Sequence, residues 1–179
     1  MVLHGNYAYA NLFEGNTVQH IVIDDSHGIN GPNNTFFRNR AELYGIYMNS
    51  NPASDGQNFI GNEITNNGLL MGNYILSGSN HFEYGNNKLG TVIPSGTNIL
   101  YDSSLYLGLV PAYYQNNPPW PPIGLPNLIS SYTIEAQENY DQGEFTKCSE
   151  DSINPTDTSQ TDTSDNAPCP RLRTKMKPT

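Results

Sequence analysis

The residues best suited to chemistry in this chain are Asp24, Asp25 and His27, with His4 on one side in sequence and Arg38 and Arg40 on the other. Two adjacent carboxylates are oxygen donors for a hard cation, and Ca2+ is the only cofactor they suggest. A guanidinium presents a planar fork that clamps a carboxylate. The catalytic candidates are therefore Arg38, Arg40 and His27, and the metal candidates Asp24 and Asp25. A plainer reading stands beside this one. Asp24, Asp25 and His27 also suit a turn, where they would satisfy backbone groups. Neighbouring strand residues face opposite ways, so Asp24 and Asp25 share an ion only if a bulge or turn intervenes. His20 has no acidic or thiol partner in its column, and His81 and Glu83, which flank Phe82, are expected to point outward. No Ser/His/Asp triad, phosphate loop or dinucleotide fingerprint occurs.

What could position these residues is a repeat. Phe13, Phe36, Phe59 and Phe82 are spaced 23 residues apart, and the chain has six phenylalanines in all. Other columns keep the step: Asn16, Asn39 and Asn62; Asn11, Asn34, Gln57 and Asn80; Ile23, Ile46, Leu69 and Val92; Val18, Ala41 and Ile64. A fixed period in the twenties points to a solenoid. The units are not leucine-dense, which leaves a parallel β-helix. Coils of that fold stack about 4.8 Å apart, so residues one period apart lie above one another. The expectation is an all-β chain with about four 23-residue coils over residues 1–94. The phenylalanines would stack inside, and the asparagine columns would mark the turns. Arg40 would then lie between Thr17 and Glu63 and pair with Glu63. Tyr44, Ile46 and Met48 would point inward, with Gly45 and Tyr47 outward.

Composition agrees. Asparagine supplies 18 of the first 98 residues, and charged residues make up only 14%, which disfavours helix. Net charge is −9, which repels phosphate backbones and argues against a nucleic-acid partner. Neutral polar ligands such as glycans suit it better. No apolar run spans a membrane, and no signal peptide follows Met1. His4-Gly5 already lies 23 residues before His27-Gly28. The chain is thus expected to begin inside a coil, with further coils and any export signal upstream.

Residues 95–146 leave the period. Tyrosines, Trp120 and five prolines between residues 118 and 126 alternate there. The segment reads as a cap over the open end of the solenoid. It also reads as an aromatic platform for sugar rings, with Trp120, Tyr113 and Tyr114 as carbohydrate-binding candidates. Residues 147–179 have no aromatic residue and end in a short basic run. They read as a disordered Thr/Ser-rich linker. Cys148 and Cys169 are either two free thiols or a disulfide.

The stretches His4–Asn16, Asp25–Pro32 and Asn34–Arg40, with Trp120-Pro-Pro-Ile-Gly124, resemble the right-handed parallel β-helix superfamily that includes pectate lyases. More narrowly, they resemble secreted bacterial β-helix proteins exported by type IX secretion. The resemblance covers roughly residues 1–140. It implies a right-handed coil, a secreted or cell-surface location, and polysaccharide as partner. In lyases of that fold, aspartates bind calcium and an arginine or lysine removes the proton α to a uronate carboxylate. The functional expectation is a non-catalytic segment that binds carbohydrate or acts as a spacer. The alternative is a polysaccharide lyase or hydrolase whose main catalytic coils lie upstream.

Overall fold

The computed structural model describes residues 1–49, 52–112, 114, 119–127, 133 and 135–143. Cys148, Cys169, Tyr113 and the 147–179 tail lie outside them. The strands are short. In chain order they are β1 (Val2–Leu3), β2 (Leu12–Glu14), β3 (Thr17–Ile23), β4 (Thr35–Phe37), β5 (Arg40–Met48), β6 (Asn58–Ile60), β7 (Glu63–Ile64), β8 (Asn73–Ile75), β9 (Phe82–Tyr84), β10 (Asn86–Lys88) and β11 (Thr91–Ile93), followed by helix α1 (Glu135–Gln142). They build a parallel β-solenoid of about four turns. One sheet runs β2-β4-β6-β9. The other runs β1-β3-β5-β7-β10-β11, with β8 also paired to β5. Every pair is parallel except the β10–β11 hairpin, which closes the end of the second sheet.

The core follows the repeat. Phe13 pairs with Phe36 and Phe36 with Phe59. Their rings stack with centroids 5.2 Å apart and planes 12° and 8° off parallel. Phe36 and Phe59 are fully buried, together with Ile21, Ile23, Ile46, Met48 and Ile64. Burying each such side chain contributes roughly 1.5–3 kcal/mol. Between the sheets the chain turns through a residue with positive φ followed by asparagine: Gly15-Asn16, Arg38-Asn39, Gly61-Asn62 and Gly85-Asn86. Each asparagine in turn donates both its backbone N–H and its Nδ2 to the Oδ1 of the next, at 2.9–3.1 Å. The returned bond runs from Nδ2 to a backbone carbonyl, Phe13 for Asn39 and Phe36 for Asn62. Buried amides are thereby satisfied without water.

Three registers differ from the expected 23-residue step. Phe82 pairs with Asn58, and Glu83 is the residue above Phe59. Phe82 is therefore 53% exposed and stacks on Tyr84 outside. Glu83 turns toward the core instead, where it accepts the Tyr74 hydroxyl at 2.7 Å. Burial, reinforced by this bond, raises the Tyr74 phenol well above its ordinary range. The last coil has one extra residue, and His81 replaces Asn80 in the amide column, its Nδ1 accepting the Gln57 N–H at 3.1 Å. The second shift arises at an irregularity between Val18 and His20, after which Ile21 pairs with Ile46 and Ile23 with Met48. The expected Ile23–Ile46–Leu69–Val92 column does not form, and Leu69 is 89% exposed. The third is the pairing of β5 with β8, where Gly45 meets Asn73, 28 residues on, and the Gly45 φ of 86° interrupts the alternation. Ile46 and Met48 point inward as expected, but Tyr44 is exposed.

Residues 97–112 and 119–125 run along one flank of the stack. Thr97 Oγ1 accepts the Gly85 N–H at 2.9 Å, and further on Leu105 N–H donates to Glu14 Oε2 at 2.9 Å. The strap thus passes from the fourth turn back to the first. No helix among the described residues is long and apolar enough to cross a membrane.

Candidate functional site

Arg38 builds the flank on which the strap lies. It has a φ of 50° in a column that is otherwise glycine, a conformation that costs a side-chain-bearing residue on the order of 1 kcal/mol. Its side chain is buried and spreads its donors over four strap carbonyls. Nε and Nη2 donate to Asp102 O at 3.0 and 2.7 Å. Nη1 donates to Ile123 O and Leu125 O at 2.9 and 2.5 Å, and Nη2 also reaches Leu100 O at 3.4 Å. Burial pushes the guanidinium down to about 10, offset in part by Glu14, Asp102 and Glu63. It is still a cation at neutral pH.

Arg40, two residues on, is also buried. Its Nε donates to Glu63 Oε2 at 3.0 Å, with both side chains almost wholly enclosed. The expected Thr17–Arg40–Glu63 register holds. The other Glu63 oxygen accepts the Gly124 N–H at 2.9 Å. A Cβ at Gly124 would lie 2.2 Å from Gly61 O, so the strap backbone meets the coil backbone there with no room for a side chain.

Between the strap and the first two turns lies a groove of about 510 Å3. Trp120, Pro121, Pro122 and Ile123 line one wall, Tyr106, Leu107 and Ser103 another, and Leu12, Glu14 and Gly15 the coil side, with Arg38 alongside. Tyr114 packs edge-on against Trp120, centroids 5.1 Å apart at 76°. Burial raises its phenol. Trp120 is half-buried and Tyr106 is 82% exposed. Glu14 is held by Ser104 Oγ and the Leu105 N–H. Of the carbohydrate-binding candidates, Trp120 lines the groove and Tyr114 packs against it.

Glu14 was not singled out in the sequence, and Tyr106 stood there only as one of the tyrosines of the aromatic segment. A signal existed for Glu14. Its column continues as Phe37, Ile60 and Tyr84, so it is the one acid among outward apolar positions.

Asp24, Asp25 and His27 lie at the far end of β3. Its seven residues separate them from Arg40 by about 20 Å at roughly 3.3 Å each. The arginines and the acids are therefore not one site. Asp24 is half-exposed. Its oxygens meet His4 Nδ1 at 2.7 Å, the Ser26 N–H at 2.9 Å and Asn49 Nδ2 at 2.7 Å. The Ser26 amide bond, ahead of the Ser26 hydroxyl and His4, lowers its carboxyl below the usual range.

Asp25 points the opposite way and is fully buried. Its Oδ1 accepts Asn30 N–H, Asn30 Nδ2 and Ser54 Oγ at 3.1, 2.8 and 2.5 Å. Asp25 Oδ2 and Asn30 Oδ1 have no donor among the described residues. Calcium takes six to eight oxygens. Two spare acceptors and two divergent carboxylates do not make that cage. No three His, Cys, Asp or Glu residues converge on one point among the described residues.

No family model, no curated protein and no solved structure matches the chain.

Proposed function

We propose that the chain is a non-catalytic carbohydrate-binding segment of an exported surface protein, of the pectate lyase-like right-handed β-helix kind, and that a neutral saccharide occupies the groove beside Trp120. The observation that supports this is the groove itself. Its volume of about 510 Å3 lies in the range of small-ligand sites. Trp120 offers an apolar face for a sugar ring while Tyr114 fixes its orientation from the side. Glu14 and Ser103 supply hydrogen-bonding groups on the opposite walls. Arg38 and Arg40 favour binding over lyase chemistry, because their hydrogen bonds go to strap carbonyls and to Glu63.

The test is glycan-array screening followed by titration of the best neutral oligosaccharide. Trp120→Ala is expected to weaken binding at least tenfold, and Tyr106→Ala, at an exposed position, to weaken it without changing the circular dichroism spectrum. Retention of full affinity in both variants, or release of unsaturated product from polyuronate, would overturn the reading.

A further inference from the structure

The flank opposite the strap carries a cluster with no part in the groove. His4 and His27 occupy equivalent places in successive turns. Their ring centroids are 4.3 Å apart with planes at 44°. Each is followed by a glycine with positive φ, 78° at Gly5 and 113° at Gly28. A Cβ at Gly5 would lie 2.8 Å from Gly28 O and 2.9 Å from the His27 carbonyl carbon. The two His-Gly turns are thus pressed backbone to backbone, and this close contact holds the rings together.

The hydrogen bonds assign the ring nitrogens. His4 Nδ1 lies 2.7 Å from Asp24 Oδ2. An ionised carboxylate only accepts, so Nδ1 carries the proton and the lone pair of neutral His4 sits on Nε2. Asp24 is held in turn by the Ser26 amide and Asn49. This is the carboxylate–histidine arrangement that orients a metal ligand from behind. His27 Nδ1 is 3.0 Å from Ser26 Oγ, which leaves its Nε2 open in the same way when Nδ1 donates. His4 is exposed, its side chain at 54%, and neither Nε2 has a partner among the described residues.

We propose that His4 and His27 chelate one divalent transition ion through their Nε2 atoms, with Asp24 as the outer partner of His4. Ligand nitrogens about 2.0–2.1 Å from zinc lie roughly 3 Å apart. Ring centroids 4.3 Å apart keep both imidazoles within reach of one ion. Imidazole selects Zn2+, Ni2+ or Cu2+ over Ca2+ and Mg2+, with Cu2+ tightest. The two histidines supply two ligands, consistent with the absence of any converging set of three among the described residues. Water fills the remaining positions, so the ion is open to an outside ligand. The net charge of −9 favours the cation.

The experiment is calorimetric titration of the metal-free full chain with Zn2+ and then Cu2+. One ion per chain is expected, with Cu2+ tighter. His4→Ala and His27→Ala should each weaken binding at least tenfold, and the double variant little more than either, because both rings hold one ion. Asp24→Asn should weaken it on the order of tenfold while both rings remain. In 15N spectra, the Nε2 signals of His4 and His27 should shift together, and those of His20 and His81 should not. Both positions are on the surface, so unchanged circular dichroism confirms the fold in each variant. Wild-type affinity in either single variant, or in the double variant, would overturn the proposal. So would no zinc binding at millimolar concentration.

Discussion

The two flanks of the solenoid use the same residue types in opposite ways. On the strap flank, Arg38, Arg40 and Glu63 are buried and bonded to the protein itself. On the open flank, His4 and His27 are exposed and Asp24 is partly buried, and each ring keeps its Nε2 without a partner among the described residues. The difference begins in the turn. The strap-side turn is two residues with no spare length, so a side chain there either vanishes, as in Gly15, Gly61 and Gly85, or must reach outward, as in Arg38. The open-side loops are long and satisfy their own backbone, as Asp25 does for Asn30. Charge on the short side becomes structure, and charge on the long side remains available for ligands.

The sharpest break in this comparison is Glu63→Ala. It leaves the Arg40 cation buried without its carboxylate and frees the Gly124 amide. A loss of about 3–5 kcal/mol is expected in denaturant unfolding. Asp24→Ala on the open flank should shift the same curve far less.

Next in size is Arg38→Gly. It restores the glycine of the column and relieves the backbone, but strips donors from the carbonyls of Leu100, Asp102, Ile123 and Leu125. A net loss of about 2 kcal/mol is expected, since bonds to charged groups contribute roughly 1.5–3 each. Limited proteolysis should then cut within residues 97–112 while the coils stay intact. Protection equal to wild type would mean that Arg38 does not hold the strap.

The smallest effect is the titration of Asp24. Its folded carboxyl is depressed, foremost by the Ser26 amide. The stability it contributes is therefore present above the unfolded pKa and is lost as pH falls through the lower folded value. An NMR titration should place Asp24 below ordinary aspartate. His4→Ala should raise it only slightly, because the Ser26 bonds act more strongly.

Much of this was legible in the sequence. The phenylalanine stack, the asparagine ladder and the Arg40–Glu63 pair follow from one rigid period between residues 11 and 64. Phe82 fails for a readable reason. The turns run Phe-Glu-Gly-Asn, Phe-Phe-Arg-Asn, Phe-Ile-Gly-Asn and then Phe-Glu-Tyr-Gly-Asn. Aligned on asparagine rather than phenylalanine, the last coil shows its extra residue, and Arg38 stands out in a glycine column. The irregularity after Val18 leaves no such mark, because β-branched and apolar residues fit either register. The strap contacts leave none either. Arg38 meets carbonyls 62–87 residues away, and backbone acceptors carry no sequence signature. The groove was half legible, since Trp120 and Tyr114 declared themselves while their distance from Glu14 depended on the strap.

The asparagine ladder has one more consequence. Between side chains, Asn16, Asn39 and Asn62 each donate to the amide oxygen of the next turn, and Asn11 and Asn34 do the same. The amide dipoles therefore add, as peptide dipoles do along a helix, and the solenoid has a polar axis. Its first rung presents a bare carbonyl oxygen at exposed Asn16. A strand joining that edge must bring N–H groups to it in the same sense. One arriving reversed would set lone pair against lone pair, so the stack reads its own polarity at the open end.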